Sequence, residues 1–467
     1  MSAAERAGML DEAILSELRA VAGEDHVLTS PEARVCYSFD GTFHESLPDA
    51  VISPLTTEQV SEILQICNRA RLPVITRGMG SGLAAATVPF GGGLVLNMVR
   101  MNHILEIDRA NMTARVEAGV ITADFQAEVE KIGLFYPPDP SSIRHSTMGG
   151  NVACNAGGPR CLKYGVTGDY VKGLRVVLAD GRILWTGGKP IKNATGYNLS
   201  QMFVGSEGTL GVITEVLVKL KTKPRYVRTA TAVFDDLDVA SQAVSAVLEA
   251  GLLPATMEMM DNTTINTIED YLQMGLPREA EAILIIEADG SDAAAVQREI
   301  EDTVGVCRTA GAVEVRIAGN EAERNELWRA RRSVSGSLAR KRPNKLGEDI
   351  SVPRSAIPET VRRIKEISRA HNLPIVVFGH AGDGNLHPNI LFDKRDPDEW
   401  ARVERAVADI FRLAIEVGGT LSGEHGVGTL KKPYLESAVG PLAIDVMRSV
   451  RRALDPNGIL NPGKIFD

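Results

Sequence analysis

The chain has 467 residues, 44% of them hydrophobic and 24% charged, with a formal net charge of -9. That length exceeds what one hydrophobic core usually serves, so two or more domains are expected. Charges of both signs are interspersed, leaving no basic stripe to neutralise a phosphate backbone, so nucleic acid is not an expected partner. No apolar run reaches the roughly 18 residues of a membrane span. Glu5, Asp11, Glu12 and Glu17 make the start acidic, so a secretory or mitochondrial leader is not expected. A cytoplasmic protein is expected, with any membrane association peripheral and made through a partner. Cys36, Cys67, Cys154, Cys161 and Cys307 are odd in number and include no CxxC pair, which predicts a reducing compartment and no iron-sulfur cluster.

Leu10, Ile14, Leu18 and Val21 have the spacing of a surface helix with one buried face. Thr56 to Leu72 repeats this with Val60, Ile63, Leu64 and Cys67, then breaks at Pro73 into the strand VIT, which runs directly into RGMGSGL. Short β-rich runs alternate with glycine loops and a few helices from Val51 to Leu220, predicting an α+β domain. Past Lys223-Pro224 strands alternate with longer helices, including 238–250 and 291–310, so a boundary is placed near 225. The second region reads as antiparallel sheet covered by helices. A helix from about Glu399 to Val417, another near Ile444 to Leu454 and an irregular tail follow. The expected division is 1–225, 226–420 and a C-terminal segment 421–467 that returns to the first domain.

Two stretches carry candidate chemistry. In Arg77-Gly78-Met79-Gly80-Ser81-Gly82 the alternate glycines let backbone amides form a nest for an anion such as a pyrophosphate, although a glycine-rich turn needs no ligand. PIVVFGHAGDGNLHPNILF reads as a hairpin with His380 and His387 at its shoulders, and Asn389 falls on the face of His387. Asp383 reads as a turn former, and His44, His103 and His371 as surface or capping residues. GGTLSGEHGVG then offers Glu424 and His425 from a flexible loop. Two histidines with Glu424 form a ligand set for zinc with an open coordination site, and one that suits iron or manganese as well.

PPDPSSIRHSTMGGNVACNAGGPRCLKYGVTGDYV, LRVVLADGRI and FVGSEGTLGVITEV closely resemble the FAD-binding domain of the vanillyl-alcohol oxidase or PCMH type. The resemblance implies that Arg77, Gly78, Met79, Gly80, Ser81, Gly82 and Leu83 wrap the FAD pyrophosphate. It places Pro138, Asp139, Thr147, Gly149, Gly150, Asn151, Gly158, Gly205 and Ile213 along the ribityl chain and isoalloxazine. The pyrophosphate loop holds neither histidine nor cysteine, so non-covalent FAD is expected, with Cys154 the residue that argues otherwise.

HAGDGNLHPNILFD and GEHGVG resemble the C-terminal domain shared by the D-2-hydroxyglutarate dehydrogenases, D-lactate dehydrogenases and glycolate oxidase flavoprotein subunits. That likeness implies a divalent metal on His380, His387 and Glu424, a base at His425 and a substrate contact at Asn389. ELWRARRSVSG resembles the family's Trp-x-x-Arg segment, whose arginine, here Arg331, fits a substrate carboxylate as a fork. A solvated helix face crowded by Arg324, Arg329 and Arg332 is the alternative. Lys345 is nearest to a substrate lysine of some relatives, but its spacing to Asp349 departs from the hydroxyglutarate enzymes.

The implied function is oxidation of a small 2-hydroxy acid, glycolate or D-lactate favoured, to the 2-oxo acid. An oxidase of another alcohol class and an FAD-binding electron-relay or structural subunit stand as alternatives. The electron acceptor is open among oxygen, a dye, a quinone, a cytochrome, an iron-sulfur subunit and an electron-transferring flavoprotein, and a homodimer is open as well.

Overall fold

The computed structural model describes residues 10–467, so Glu5 lies outside the described residues. Residues through 157, 166–223 and 424–467 form one compact unit; 158–165 and 224–423 form a second. The short segment 158–165 had no signature in the sequence, and it carries Gly158 into the second unit. Among the described residues no helix is long and apolar enough to cross a membrane.

Among the described residues the first unit opens with the helix Glu12–Ala22, whose N-cap Asp11 accepts from the Ile14 amide at 2.9 Å. Its Leu18 and Ala22 share a core with Val60, Ile63, Leu64 and Cys67 of the helix Thr57–Ala70. Thr56 is the N-cap of that second helix rather than its first residue, and Arg71, at φ 54°, turns left-handed and ends it. The chain then enters the strand Val74–Arg77, parallel to Leu94–Asn97, which is parallel in turn to Ala50–Ile52. A separate antiparallel sheet runs in the order Ile104–Asp108, Thr113–Glu117, Val212–Lys219, Val171–Val177, Ile183–Gly187. Phe125, Tyr136, Val152, Leu174, Phe203 and Val216 pack against one another around this sheet. Each such fully buried side chain contributes roughly 1.5–3 kcal/mol relative to exposure.

The C-terminal segment is tied into this unit from both ends. Buried Glu207, at φ 50°, accepts from the amides of Val427 (2.6 Å) and Gly428 (2.8 Å). Asn461 donates to the carbonyls of Ala86 and Glu207, and buried Lys464 donates to Val88 O at 2.7 Å.

The second unit is built on one antiparallel sheet in the order Glu314–Ile317, Tyr226–Phe234, Ala282–Gly290, Thr256–Asp261, Ile375–His380, Asn385–Phe392, Asn344–Gly347, with Ile350–Ser351 also on Asn385–Phe392. The helices Leu237–Glu249, Ala293–Ala310, Ile357–His371 and Pro397–Glu416 pack against each other. A different core joins Ile265, Ile268, Ala330, Val334 and Leu338 to Met260, Val376, Phe378 and Leu391 of the sheet. Strand side chains alternate, so the face that carries Val376 and Phe378 also carries His380, and the face of Leu391 also carries Asn389 and His387.

Two substitutions test these constraints. Gly384, at φ 85° in the hairpin turn, would bring a Cβ to 2.1 Å from Val352 O. Gly384→Ala is expected to cost roughly 1–3 kcal/mol, read as a lower denaturation midpoint with bound flavin retained. Burial pushes the Glu207 carboxyl up to about 7, against the pull of the Val427 and Gly428 amides and of Lys431 and Lys464. A carboxyl raised on folding binds its proton more tightly in the folded state, so its contribution is complete below the unfolded value of 4.5 and is lost as pH rises through about 7. The thermal midpoint of the wild type should therefore fall relative to Glu207→Gln as pH is raised across that window; a pH-independent difference between them would refute this.

Candidate functional site

In the first unit a cavity of about 590 Å³, counting space open to solvent, is lined by Gly78, Thr147, Gly149, Gly150 and Ile213, together with Thr76, Cys154 and Glu207. The cavity thus gathers five of the residues expected at the flavin. Its walls are made by close packing: a Cβ on Gly78 would fall 2.4 Å from Thr147 Oγ1, and one on Gly149 would fall 2.6 Å from Ala118 Cβ. Thr147 caps the helix Met148–Cys154 and accepts from the Gly150 amide at 3.3 Å. Thr76 and Thr87 line the cavity with buried hydroxyls that have no protein partner. Uncommitted hydroxyls and a helix N-terminus in a glycine-walled cavity fit a polar cofactor bearing phosphates.

The other residues expected at the flavin are not among those that line this cavity. Arg77 is buried and donates to Phe39 O at 2.5 Å, and a Cβ on Gly80 would fall 2.1 Å from its Nη2. Its guanidinium therefore underlies the glycine loop and fixes its path. Gly80 has φ 68°, Gly82 has open space where a Cβ would be, Ser81 is half-buried, and Met79 and Leu83 are exposed. Pro138 is held by Gln126 Nε2 on its carbonyl at 2.8 Å, next to half-buried Asp139. Asn151 Nδ2 donates to Thr122 Oγ1 at 2.6 Å, and the Gly205 amide donates to Val152 O at 2.9 Å. Gly158 belongs to the second unit. Burial, with the Glu207 and Asp40 charges, pushes the Cys154 thiol up to about 12, so it is not a nucleophile at neutral pH.

In the second unit the apolar sheet face turns polar at one end. His380 and His387 are buried, their rings nearly perpendicular, with Nε2 atoms 3.5 Å apart. His380 Nδ1 lies 2.5 Å from Oε1 of Glu258, its cross-strand partner, and Arg331 Nε donates to Glu258 Oε2 at 2.7 Å. Burial acts to raise the Glu258 carboxyl, but the His380 and Arg331 charges outweigh it and hold the group below its ordinary range. The Arg331 guanidinium also stacks 4.8 Å from the Phe378 ring centroid. Of the four arginines on the helix Glu321–Arg332, Arg331 is the one that turns inward, at 11% exposure. Arg324 and Arg329 instead pair with Glu321 and Glu326, and Arg332 reaches Asn325 O.

Asn389 is buried beside this group and donates to His387 O at 2.9 Å, and Gly347 has no room for a Cβ, which would fall 2.8 Å from Asn389 Oδ1. Lys345 pairs with Leu391 in the sheet and reaches Ser335 Oγ at 2.8 Å; burial lowers its pKa. Asp383 accepts from the Asn385 amide at 3.1 Å within the turn. His103 and His371 pair with Glu117 and Asp409. Glu424 and His425 open the last segment of the first unit, with His425 Nε2 3.9 Å from Glu424 Oε1. The residues before them are tied to the second unit: Ser422 Oγ donates to buried Asp349 at 2.7 Å, and a Cβ on Gly423 would fall 2.3 Å from Asn385 Nδ2. Sequence reasoning missed Glu258, Asp349 and Glu207. For Glu258 a signal existed in TMEMMD, a carboxylate flanked by methionines inside an apolar strand.

Residues 48–187 match the model of an FAD binding domain, and 223–465 match the C-terminal domain of FAD linked oxidases. The glycolate oxidase subunit GlcD of Bacillus subtilis is 49% identical over 98% of this chain and 97% of its own length. A D-lactate dehydrogenase of Anaerostipes hadrus is 33% identical over 94% of each. The solved structure of p-cresol methylhydroxylase shares the fold at a TM-score of 0.83 and 20% identity, over 98% of this chain and 97% of that one. The chain therefore belongs to the FAD-linked oxidases, flavoprotein oxidoreductases with a PCMH-type FAD-binding domain, among which the GlcD subunits and D-lactate dehydrogenases are its relatives.

Proposed function

We propose that this chain oxidises a small 2-hydroxy acid, glycolate or D-lactate favoured, to the 2-oxo acid, using non-covalent FAD, a divalent metal and a histidine base. The observation that carries the reading is the buried polar patch in which an arginine fork, an asparagine and two imidazoles meet on one sheet face. Its composition suits an α-hydroxy carboxylate, and the substrates in the names of the GlcD and D-lactate dehydrogenase relatives are of that kind.

Arg331 binds the carboxylate through its terminal amino groups, since its Nε is committed to Glu258. That contact orients the α-carbon, and Asn389 and Lys345 supply further polar contacts. His380, His387 and Glu424 hold the metal, zinc first, with manganese or iron as alternatives. Two buried imidazole nitrogens 3.5 Å apart make a donor set that a cation satisfies. Glu424 follows directly on Gly423, which packs on Asn385 of the same hairpin. When bound, the metal lowers the pKa of the substrate hydroxyl, and FAD supplies the acceptor for the hydride leaving the α-carbon. His425 takes the hydroxyl proton at a ring nitrogen.

The flavin is held without a covalent bond, because the glycine loop has no nucleophile and Cys154 stays a thiol. The cysteines are dispersed and free, so electrons leave for an external acceptor. A partner protein in that role accords with the word subunit in the GlcD names.

Acid precipitation is expected to release the yellow chromophore into the supernatant as intact FAD; flavin left in the pellet would mean a covalent link. Anaerobic addition of D-lactate, L-lactate, glycolate or D-2-hydroxyglutarate should bleach the flavin with glycolate or D-lactate. Bleaching should stop after chelation and return with zinc or manganese. His425→Ala should keep FAD and lose substrate bleaching by about 10²-fold or more. A bound flavin that none of these acids bleaches would shift the reading to an electron-relay subunit.

A further inference from the structure

Glu258 lies outside the set of groups assigned to metal, base and substrate, yet it is fully buried and spends one carboxylate oxygen on each of two of them. Oε1 meets His380 Nδ1 at 2.5 Å; Oε2 meets Arg331 Nε at 2.7 Å. The arrangement is set by backbone register, because Glu258 and His380 are directly paired across adjacent strands. Met257 and Met259 point to the opposite face, so the strand presents this single carboxylate to the patch. We infer that Glu258 is a positioning residue joining the metal and the substrate-carboxylate sites: it fixes the His380 tautomer that offers Nε2 as ligand and, through its other oxygen, aims the Arg331 fork.

The chemistry of each arm differs. A carboxylate on Nδ1 keeps the proton there, so the lone pair of His380 stays on Nε2, the nitrogen that faces His387. On the other arm Nε is the inner nitrogen of the guanidinium, so a bond there fixes the plane of the fork and leaves its two outer nitrogens for a ligand carboxylate. Stacking on Phe378 holds the same plane from below, and Phe378 is also 5.7 Å, ring to ring, from His387. A glutamine in place of Glu258 can accept with one oxygen only, and its amide would turn a donor toward one of two donors. The two sites would then no longer be held together.

This rests on the metal and substrate reading above, and the test separates the two. Zinc affinity is measured by competition with a chromogenic chelator on flavin-loaded, metal-stripped full-length protein with no substrate present. Wild type, Glu258→Gln, Arg331→Gln and the double variant are compared, with FAD content and thermal midpoint as controls on folding. Glu258→Gln is expected to weaken zinc by about 10–100-fold. Arg331→Gln, at a residue that is not a metal ligand, is expected to change zinc affinity on its own. The two effects should be non-additive by about threefold or more, the second substitution adding little to the first. The KM for the 2-hydroxy acid should rise in both single variants. Unchanged zinc affinity in Arg331→Gln, or additive effects in the double variant, would overturn the bridge. Arg331→Gln alone decides the matter if Glu258→Gln fails to fold. A wild type that binds no zinc would instead remove the metal reading itself.

Discussion

The second unit depends on the cost of keeping a carboxylate out of water. Glu258 is fully buried, and an unpaired carboxylate there would carry a desolvation penalty of several kcal/mol. His380 on one oxygen and Arg331 on the other offset it, which is why the group stays below its usual pKa in spite of its burial. The strand period makes this arrangement unavoidable. The residues that bear the polar chemistry share a sheet face with Met260, Val376, Phe378 and Leu391, and that face is covered by helices. Polar groups placed on such a face must satisfy one another. Removing one of them leaves the others buried and uncompensated, so the patch behaves as a set rather than as separate contacts.

In the first unit the dominant constraint is space. Gly78, Gly149 and Gly211 have no room for a Cβ against Thr147, Ala118 and Val176, so these glycines let wall elements of the cavity approach one another. Gly80 answers to Arg77 in the same way. Gly82, by contrast, has open space around its Cβ position. The glycine-rich sequence therefore has two physical causes, and most of it reflects how closely the scaffold is packed around the space it leaves.

What could be read from the sequence follows from the range over which each feature is determined. The hairpin histidines, their shared face with Asn389, and the helices over 57–70 and 397–416 are local patterns, and they were legible from periodicity and turn residues. Glu258 was not, because its role exists only through register with His380, a pairing 122 residues away. Arg331 could not be told from Arg324, Arg329 and Arg332 by composition; a helix of given phase turns one of them inward. Glu207 lies between Gly205 and Ile213, two residues assigned to the flavin wall. Its own bonds reach amides 220 and 221 residues on. The transfer of 158–165 to the second unit left no local mark either, since Lys163 and Tyr164 are anchored there by Asp289, more than 120 residues away.

The loop GTLSGEHGVG shows what these long-range ties accomplish. Thr420 bridges to Ser351, Ser422 bonds Asp349, and Gly423 packs on Asn385; beyond the pair Glu424-His425, the amides of Val427 and Gly428 bond Glu207. A buried carboxylate thus stands at each end, and only Glu424, His425 and Gly426 lie between the anchors. The anchors differ in what they demand of the sequence. Glu207 takes backbone amides, so the side chain at Val427 is free to vary without loss of that bond. Gly426, at φ 84° with a Cβ position 2.8 Å from Glu207 Oε1, and Gly428, with one 1.9 Å from Ala84 O, are not.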